Sequence, residues 1–412
     1  MHNENLQSPI PNQSKWVGII GGGQLAWMMA GAAESLGIEL VIQTPSPHDP
    51  AVAIASECIF ASIDDAAATT KLAAHCDVIT FENEFINLEA LMPLVEQGVC
   101  FQPSLAALAP LLDKYQQRRY LQEIGLPQPN FISLEGKQGV REKRCEGNDQ
   151  QTRGHGDRGT RGNDLEFPLV LKVRRQGYDG KGTFIIRDSQ SLDSTWQQLD
   201  YQPVMLEEFV DFERELAVIA VRSVTGEIVV YPVVETQQEE QVCRRVIVPA
   251  DISPTTIAEI EAIAATLLSS LQVVGVFGIE LFLTTRGKVL VNEVSPRTHN
   301  SGHYTLDACD TSQFEQQLRA VVGLPLGSPT MHCTGAVMVN LLGYEDSQDD
   351  YREKRQKLAN LPHSFVHWYG KSQSRPGRKL GHVTLLEKGD GTLIKGYWKQ
   401  DVIETVESLW YG

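Results

Sequence analysis

The stretch that most restricts how this chain can fold is Trp16-Val17-Gly18-Ile19-Ile20, the triple glycine Gly21-Gly22-Gly23, an apolar helical run from Gln24 to Leu36, and Glu39-Leu40-Val41-Ile42. A buried strand that turns through glycine into a helix and re-emerges as a second buried strand returns in the same direction, so the unit opens a parallel sheet with helices laid against it. Cys76-Asp77-Val78-Ile79-Thr80-Phe81 as another buried strand and Leu88 to Glu96 as a helix continue the alternation, which closes near Pro110. This gives a first α/β domain over residues 1–113. Its first 14 residues are polar, carry Pro9 and Pro11, and read as a disordered tail.

A helix from Lys114 to Gly125 and a strand at Phe131-Ile132-Ser133 follow. The 31 residues from Gly136 to Glu166 then break the pattern, with seven Gly, seven Lys+Arg and six Asp+Glu against Val140, Cys145 and Leu165. Such a segment cannot bury a face and reads as a mobile surface insertion. Strand signals resume at Leu169–Val173, Phe184–Ile186, Val204–Val210, Glu215–Val221 and Ile228–Val234. An amphipathic helix spans Thr255–Leu271, strands follow at Val276–Leu283 and Val289–Val294, and beyond Pro325 and Pro329 the chain reads as short strands with turns. The resulting division is 114–330 for the middle part and 331–412 for a small C-terminal β domain.

Composition narrows the function. In 412 residues, 36 Lys+Arg against 52 Asp+Glu give a net charge of −16, which excludes a generally basic nucleic-acid binder. The chain is 42% hydrophobic and 21% charged, ample for buried cores. No apolar run is long enough to span a membrane and the N-terminal stretch lacks an apolar targeting core, so a cytoplasmic protein is expected. The seven cysteines are dispersed, without a Cys-x-x-Cys pair or a histidine grouping at zinc-finger spacing, and neither disulfides nor structural zinc is expected.

Three segments carry chemistry. Gly21-Gly22-Gly23-Gln24-Leu25-Ala26 fits a glycine-rich turn that aims backbone amides at an anion, but the second strand ends Gln43-Thr44-Pro45-Ser46 without the acid a dinucleotide's ribose requires. A turn that needs glycine for packing explains it equally. Lys172 leaves a strand just before Gly177-Tyr178-Asp179-Gly180-Lys181-Gly182, whose three glycines let amides approach phosphate oxygens; an ordinary turn with basic flanks is the alternative. Its spacing is not that of a P-loop.

Glu280 and Glu293 give the sharpest physical argument. A hairpin turning at Arg286-Gly287 sets them directly opposite on one face, where like charges repel unless a cation lies between them. Paired oxygen ligands suit Mg²⁺ shared with substrate phosphates; a solvent-facing pair is the bland reading. Asn292 sits beside them, and Ser295-Pro296-Arg297-Thr298-His299-Asn300-Ser301-Gly302-His303 follows as a polar loop able to clamp an oxyanion. Near the C-terminus, Lys371, Arg375, Arg378 and Lys379 occur with no acid among them, which suits a phosphate-bearing substrate or simply a solvated loop.

Taken together, Gly21-Gly22-Gly23-Gln24-Leu25, the turn Gly177–Gly182, Asn292-Glu293-Val294-Ser295-Pro296-Arg297 with His299–His303, and Arg375-Pro376-Gly377-Arg378-Lys379-Leu380-Gly381-His382 resemble the ATP-grasp superfamily. Within it they resemble the N5-carboxyaminoimidazole ribonucleotide synthetases, over nearly the whole chain from Trp16. The resemblance implies a Rossmann-like N-terminal domain, a split ATP-grasp unit and a small C-terminal β domain, commonly as a homodimer. It also implies a reaction: ATP-dependent joining of bicarbonate to the amine of 5-aminoimidazole ribonucleotide through carboxyphosphate, in purine biosynthesis, with no nucleic-acid or membrane partner.

By the same resemblance, Lys114 and Lys172 hold ATP phosphates and the turn Gly177, Tyr178, Asp179, Gly180, Lys181, Gly182, Thr183 covers them. Glu207, Glu208, Phe209 and Val210 receive adenine, Glu215 holds the ribose, Gln238 and Asn292 line the nucleotide, and Glu280 and Glu293 hold two Mg²⁺ ions. Arg297 and His303 meet the developing charge, with Tyr178 and Asp179 near the acceptor amine; Gln24, Glu82, Lys371, Arg375 and Arg378 grip the ribonucleotide. Two positions depart from the family pattern. Ala26-Trp27-Met28 replaces a Gly-Arg-Met, removing one cation near the substrate, and Gln238 replaces a histidine that contacts ATP. Those departures also fit a silent nucleotide-binding regulator. Another ATP-grasp carboxylate-amine ligase and a Rossmann-type NAD(P) oxidoreductase are further alternatives.

Overall fold

The computed structural model describes residues 16–135, 165–175, 182–387 and 398–412. The N-terminal tail, the insertion up to residue 164 and Gly177 to Lys181, including Tyr178, Asp179 and Gly180, lie outside the described residues.

The expected parallel sheet is present. Strands β1 (Trp16–Ile20), β2 (Glu39–Thr44), β3 (Glu57–Phe60) and β4 (Val78–Phe81) lie in the order β3-β2-β1-β4, every pair parallel. The near-continuous apolar runs of β1, β2 and β4 are buried because helices cover the sheet. The helical run after the glycines is two helices, Gln24–Trp27 and Ala30–Leu36, not one. The Met29 amide bonds back to Ala26 across a tightened turn, and both Met28 and Met29 enter the core with Phe314 and Leu318.

A second, antiparallel sheet holds β5 (Phe131–Leu134), β6 (Leu169–Val173), β7 (Thr183–Ile186) and β8 (Val204–Glu208) in the order β5-β8-β6-β7. Helix Ser189–Gln198 seals its core with the buried Trp196, whose indole N–H donates to the Gln202 carbonyl.

The third sheet contains β9 (Phe212–Arg222), β10 (Ile228–Val230), β11 (Val234–Glu239), β12 (Val242–Val248), β13 (Gly275–Thr284), β14 (Val289–Ser295), β15 (Gly335–Leu342), β16 (Ser364–Trp368) and β17 (Lys379–Glu387). Eight run β14-β13-β9-β11-β12-β15-β17-β16, with β10 beside β9. The segment 228–234, expected as one strand, is divided because Pro232 offers no amide to a ladder. Helix Pro254–Leu271, capped by the Ser253 hydroxyl, packs Ile260, Ile263, Leu267 and Leu271 onto β9, β13 and β14.

Pairing of β12 with β15 continues the ladder into the C-terminal strands. Two helices, Arg352–Ala359 and Trp398–Tyr411, accompany those strands where the sequence suggested only turns. The first is hard to read because Leu358 is its one buried residue. Among the described residues no helix is long and apolar enough to cross a membrane.

Candidate active site

The acidic hairpin forms with Glu280 opposite Glu293, by a route that simple counting misses. Nearest the turn, Leu283 faces Val289 and Leu281 faces Val291, one residue out of the expected frame; a bulge at Asn292 then restores the frame, and Glu280 meets Glu293. The bulge frees Asn292 from pairing, and its side-chain oxygen accepts from the Lys172 ammonium at 3.1 Å.

Helix Lys114–Glu123 fastens this hairpin to the second sheet. Asp113 caps it by accepting from the amides of Tyr115 and Gln116, and also receives Arg174 at 3.0 Å. Gln117 exchanges two 2.9 Å bonds with the backbone of Val294. Arg118, fully buried, donates to the carbonyls of Val291 and Asn292 at 2.7 Å each and ion-pairs with Glu207 at the end of β8. Glu207 also takes Lys172 at 2.7 Å. Burial alone would raise the Glu207 carboxyl, yet Arg118 and Lys172 hold it down at about 2. Burial lowers Lys172, and Glu207 opposes that fall.

Lys114, the first residue of the same helix, places its ammonium 2.5 Å from Glu293. Glu293, half-buried, is lowered against desolvation because Lys114 and Lys172 face it; Glu280, half-buried and facing Glu293, is raised to about 7 by desolvation and the Glu293 charge. Glu215 lies opposite Phe282 on the face it shares with Glu280, and burial with the Glu280 charge lifts it to about 7. His299 Nε2 stands 3.4 Å from Glu280. A crowded set of hard oxygen donors, two of them raised by desolvation and by their neighbours' charge, fits a divalent cation such as Mg²⁺.

The loop after β14 carries Arg297, paired with Glu84 at 2.8 Å, and His303. Burial would lower the Arg297 guanidinium, but Glu84 and Glu82 raise it, so it stays a cation. His303 is fully buried and held well below the usual histidine range; Gln313 meets its Nδ1 at 3.1 Å, and its Nε2 has no partner among the described residues.

The glycine-rich turn answers the dinucleotide question. Its amides do not point at open space: Gly23 and Leu25 donate to the Glu82 carboxylate at 2.7 and 3.1 Å. A Cβ on Gly23 would fall 2.3 Å from Glu82, and one on Gly22 would fall 2.6 Å from Thr44. The glycines therefore admit a carboxylate and close packing where a pyrophosphate would lie, which removes the oxidoreductase reading.

At this end Gln24 accepts from Lys371 at 2.6 Å, and Lys371 also donates to the Lys379 carbonyl. Arg378 donates to the Gln373 carbonyl beside Arg375, and burial together with that arginine lowers it. At the far end Phe212 and Phe282 stack with centroids 4.8 Å apart near Glu208, Phe209, Val210 and Gln238. One cleft of about 1650 Å³ joins the two ends and the acidic centre. Its lining includes every described residue given a binding or catalytic role from the sequence except Gly182, which turns at φ 84° beside Val173. Sequence reading did not find Glu84, Gln117 and Arg118, which act through partners more than 150 residues away or on another sheet and leave no local motif.

Comparison with known proteins identifies the family. Residues 14–110 match the ribonucleotide synthetase preATP-grasp domain, 157–314 the ATP-grasp domain and 336–395 the phosphoribosylaminoimidazole carboxylase C-terminal domain. The chain is 50% identical over 394 residues to N5-carboxyaminoimidazole ribonucleotide synthase of Synechococcus elongatus, covering 96% of this chain and 95% of that one. A crystal structure of an N5-carboxyaminoimidazole ribonucleotide synthetase with ADP superposes at TM-score 0.82 and 32% identity, covering 97% and 98% of the two chains. The Aspergillus clavatus enzyme with ADP and 5-aminoimidazole ribonucleotide superposes at 0.83 and 28% identity, covering 96% and 99%. With its parallel N-terminal sheet, two antiparallel sheets around an acidic cleft and these relatives, the chain belongs to the N5-carboxyaminoimidazole ribonucleotide synthase family of ATP-grasp ligases.

Proposed function

We propose that this chain uses ATP to join bicarbonate to the exocyclic amine of 5-aminoimidazole ribonucleotide, a step of purine biosynthesis, with both substrates in the one cleft. The observation that carries the residue assignment is the convergence of Lys114, Lys172, Glu280 and Glu293 midway between an aromatic end and a basic end. The triphosphate lies along Lys114 and Lys172, its base against Phe212, Phe282 and the Glu208–Val210 backbone, and its ribose near Glu215. Gln238 lines the same wall, and its amide can replace a hydrogen bond that the family's histidine makes.

Glu280 and Glu293, with Asn292 beside them, would hold Mg²⁺, two ions by the family resemblance, whose chemistry when bound is neutralisation of the β- and γ-phosphate oxygens. Lys114 leaves Glu293 for the phosphates as the nucleotide enters. Bicarbonate oxygen attacks the γ-phosphorus, giving carboxyphosphate and ADP; the amine then attacks the carboxyl carbon and phosphate departs. Arg297 keeps its charge against the negative charge that builds up at this step. His303, neutral through burial and accepting at Nδ1 from the Gln313 amide, presents an Nε2–H that donates a single hydrogen bond without adding charge. Lys371, Arg375 and Arg378 take the ribonucleotide's phosphate, and Gln24 and Glu82 its ribose. Tyr178 and Asp179 keep the roles that the resemblance gives them, on the turn over the phosphates.

The three-part division at residues 113/114 and 330/331 and a homodimeric state belong to the same proposal. Purified protein should release ADP only when bicarbonate and 5-aminoimidazole ribonucleotide are both present, and Glu293→Gln should abolish that turnover. ATP turnover indifferent to the ribonucleotide would reassign the chain to another ATP-grasp ligase. Nucleotide binding without any turnover would favour the silent regulator suggested by Trp27 and Gln238.

A further inference from the structure

Behind the cleft, β16 and β17 set two imidazoles directly across the ladder from each other, His367 opposite His382, with ring centroids 4.6 Å apart. The short helix Thr305–Ala308 brings the Asp307 carboxylate to 2.9 Å from His367 Nε2. One ligand atom from each of Asp307, His367 and His382 lies within 4.8 Å of the other two. His382 is fully buried, and its Nε2 has no hydrogen-bond partner among the described residues. A buried ring nitrogen left unsatisfied beside two ready donors calls for a ligand.

The surroundings orient these groups. His382 Nδ1 lies 2.7 Å from the buried Tyr369 hydroxyl. In the tautomer whose Nδ1–H donates to that oxygen, Nε2 carries a bare lone pair, the second-sphere arrangement that metal-bound histidines use. Burial holds His382 well below the usual histidine range and so in its neutral, ligating form.

We propose that Asp307, His367 and His382 form a binding site for a borderline divalent transition-metal ion, Zn²⁺ or Co²⁺, separate from the nucleotide cleft. Two imidazoles and one carboxylate are the donors such ions prefer, whereas Mg²⁺ takes oxygen ligands. The rings are now stacked at 16°, so binding requires His367 to tilt until both nitrogens point at one spot. Its place on the edge strand β16, with a side chain only a quarter exposed, allows that turn while leaving solvent access for the ion. The bound ion would tie the edge strand to the helix Thr305–Ala308 immediately before the segment that carries Lys371. The ligands are scattered along the chain, so no zinc spacing marks them in the sequence.

The test is titration of the metal-stripped full chain with Co²⁺ and with Zn²⁺ in excess Mg²⁺, read by calorimetry and by the visible bands of low-coordinate Co²⁺. The expected result is one equivalent bound by the wild type and by Glu293→Gln. His367→Ala should abolish it, and Tyr369→Phe, which keeps the ring, should weaken it about tenfold. Thermal unfolding of the folded variants should rise on adding Zn²⁺ only where the site persists. No binding under excess Mg²⁺, or binding that survives His367→Ala and disappears with Glu293→Gln, overturns the proposal.

Discussion

Lys172→Met removes one ammonium and keeps an unbranched stem in a nearly closed site. The ammonium is 2.7 Å from Glu207 and 3.1 Å from Asn292. Glu207 keeps its contact with Arg118, so the buried carboxylate is never left without a cation. The loss of stability is therefore that of two charged hydrogen bonds, about 1.5–3 kcal/mol each, rather than that of a buried carboxylate left without a cation. Catalysis should lose one such contact, about 1.5–3 kcal/mol, because Lys172 points at the phosphates in the proposed complex. Converted at 1.36 kcal/mol per decade, kcat/KM for ATP should fall roughly 10- to 150-fold. A cation that holds the phosphate in both ground and transition states raises KM and lowers kcat together. The assay is steady-state ADP release at saturating bicarbonate and ribonucleotide, with thermal unfolding as the control for folding. A folded variant whose kcat/KM for ATP stays within about twofold of wild type would mean the phosphates lie elsewhere and would refute the placement.

Glu280 and Glu215, both lifted to about 7, keep protons in the folded protein that the unfolded chain gives up, so without Mg²⁺ stability should decline as pH rises from about 4.5 to about 7. Thermal unfolding across that window should show the decline, and Glu280→Gln should flatten it; a variant with an unchanged slope contradicts the assignment. Gly23→Ala would drive a methyl to 2.3 Å from Glu82 and displace the carboxylate from two amides. It should cost about 1–3 kcal/mol of stability and raise the ribonucleotide KM, whereas an unchanged KM would separate Glu82 from that substrate. Lys371→Met should raise the ribonucleotide KM by about tenfold or more and leave the ATP KM nearly alone, since one charged contact is lost at one end of the cleft. Equal effects on both constants would show that the two ends are not separate subsites.

The parallel sheet was legible because strand, glycine turn and helix follow one another locally within residues 16–42. Glu280 against Glu293 was legible because a hairpin's partners can be counted from its turn, although the true turn is one residue out of frame and the bulge at Asn292 corrects it. What could not be read was whatever depends on distant pairing. Arg118 looks like any basic residue on a polar helix, and only the fold reveals that it is buried between Glu207 and the backbone of β14. Glu84 gave no signal as the partner of Arg297, and the pairing of β12 with β15 has no signature in either strand alone. The turn after Gly22 illustrates the converse, a familiar glycine pattern whose amides serve a carboxylate.

Arg118 also ties two walls of the cleft together. Its single guanidinium grips β8 through Glu207 and the acidic hairpin through two carbonyls, so the four-stranded sheet cannot slide away from its neighbour without breaking all three contacts at once. Every contact of this pin lies at the wall of the cleft that the nucleotide shares with the acidic pair, so its loss would unseat both sheets together. Because Glu207 also holds the Lys172 ammonium, the same guanidinium fixes where the phosphate-facing cation stands against the acidic hairpin.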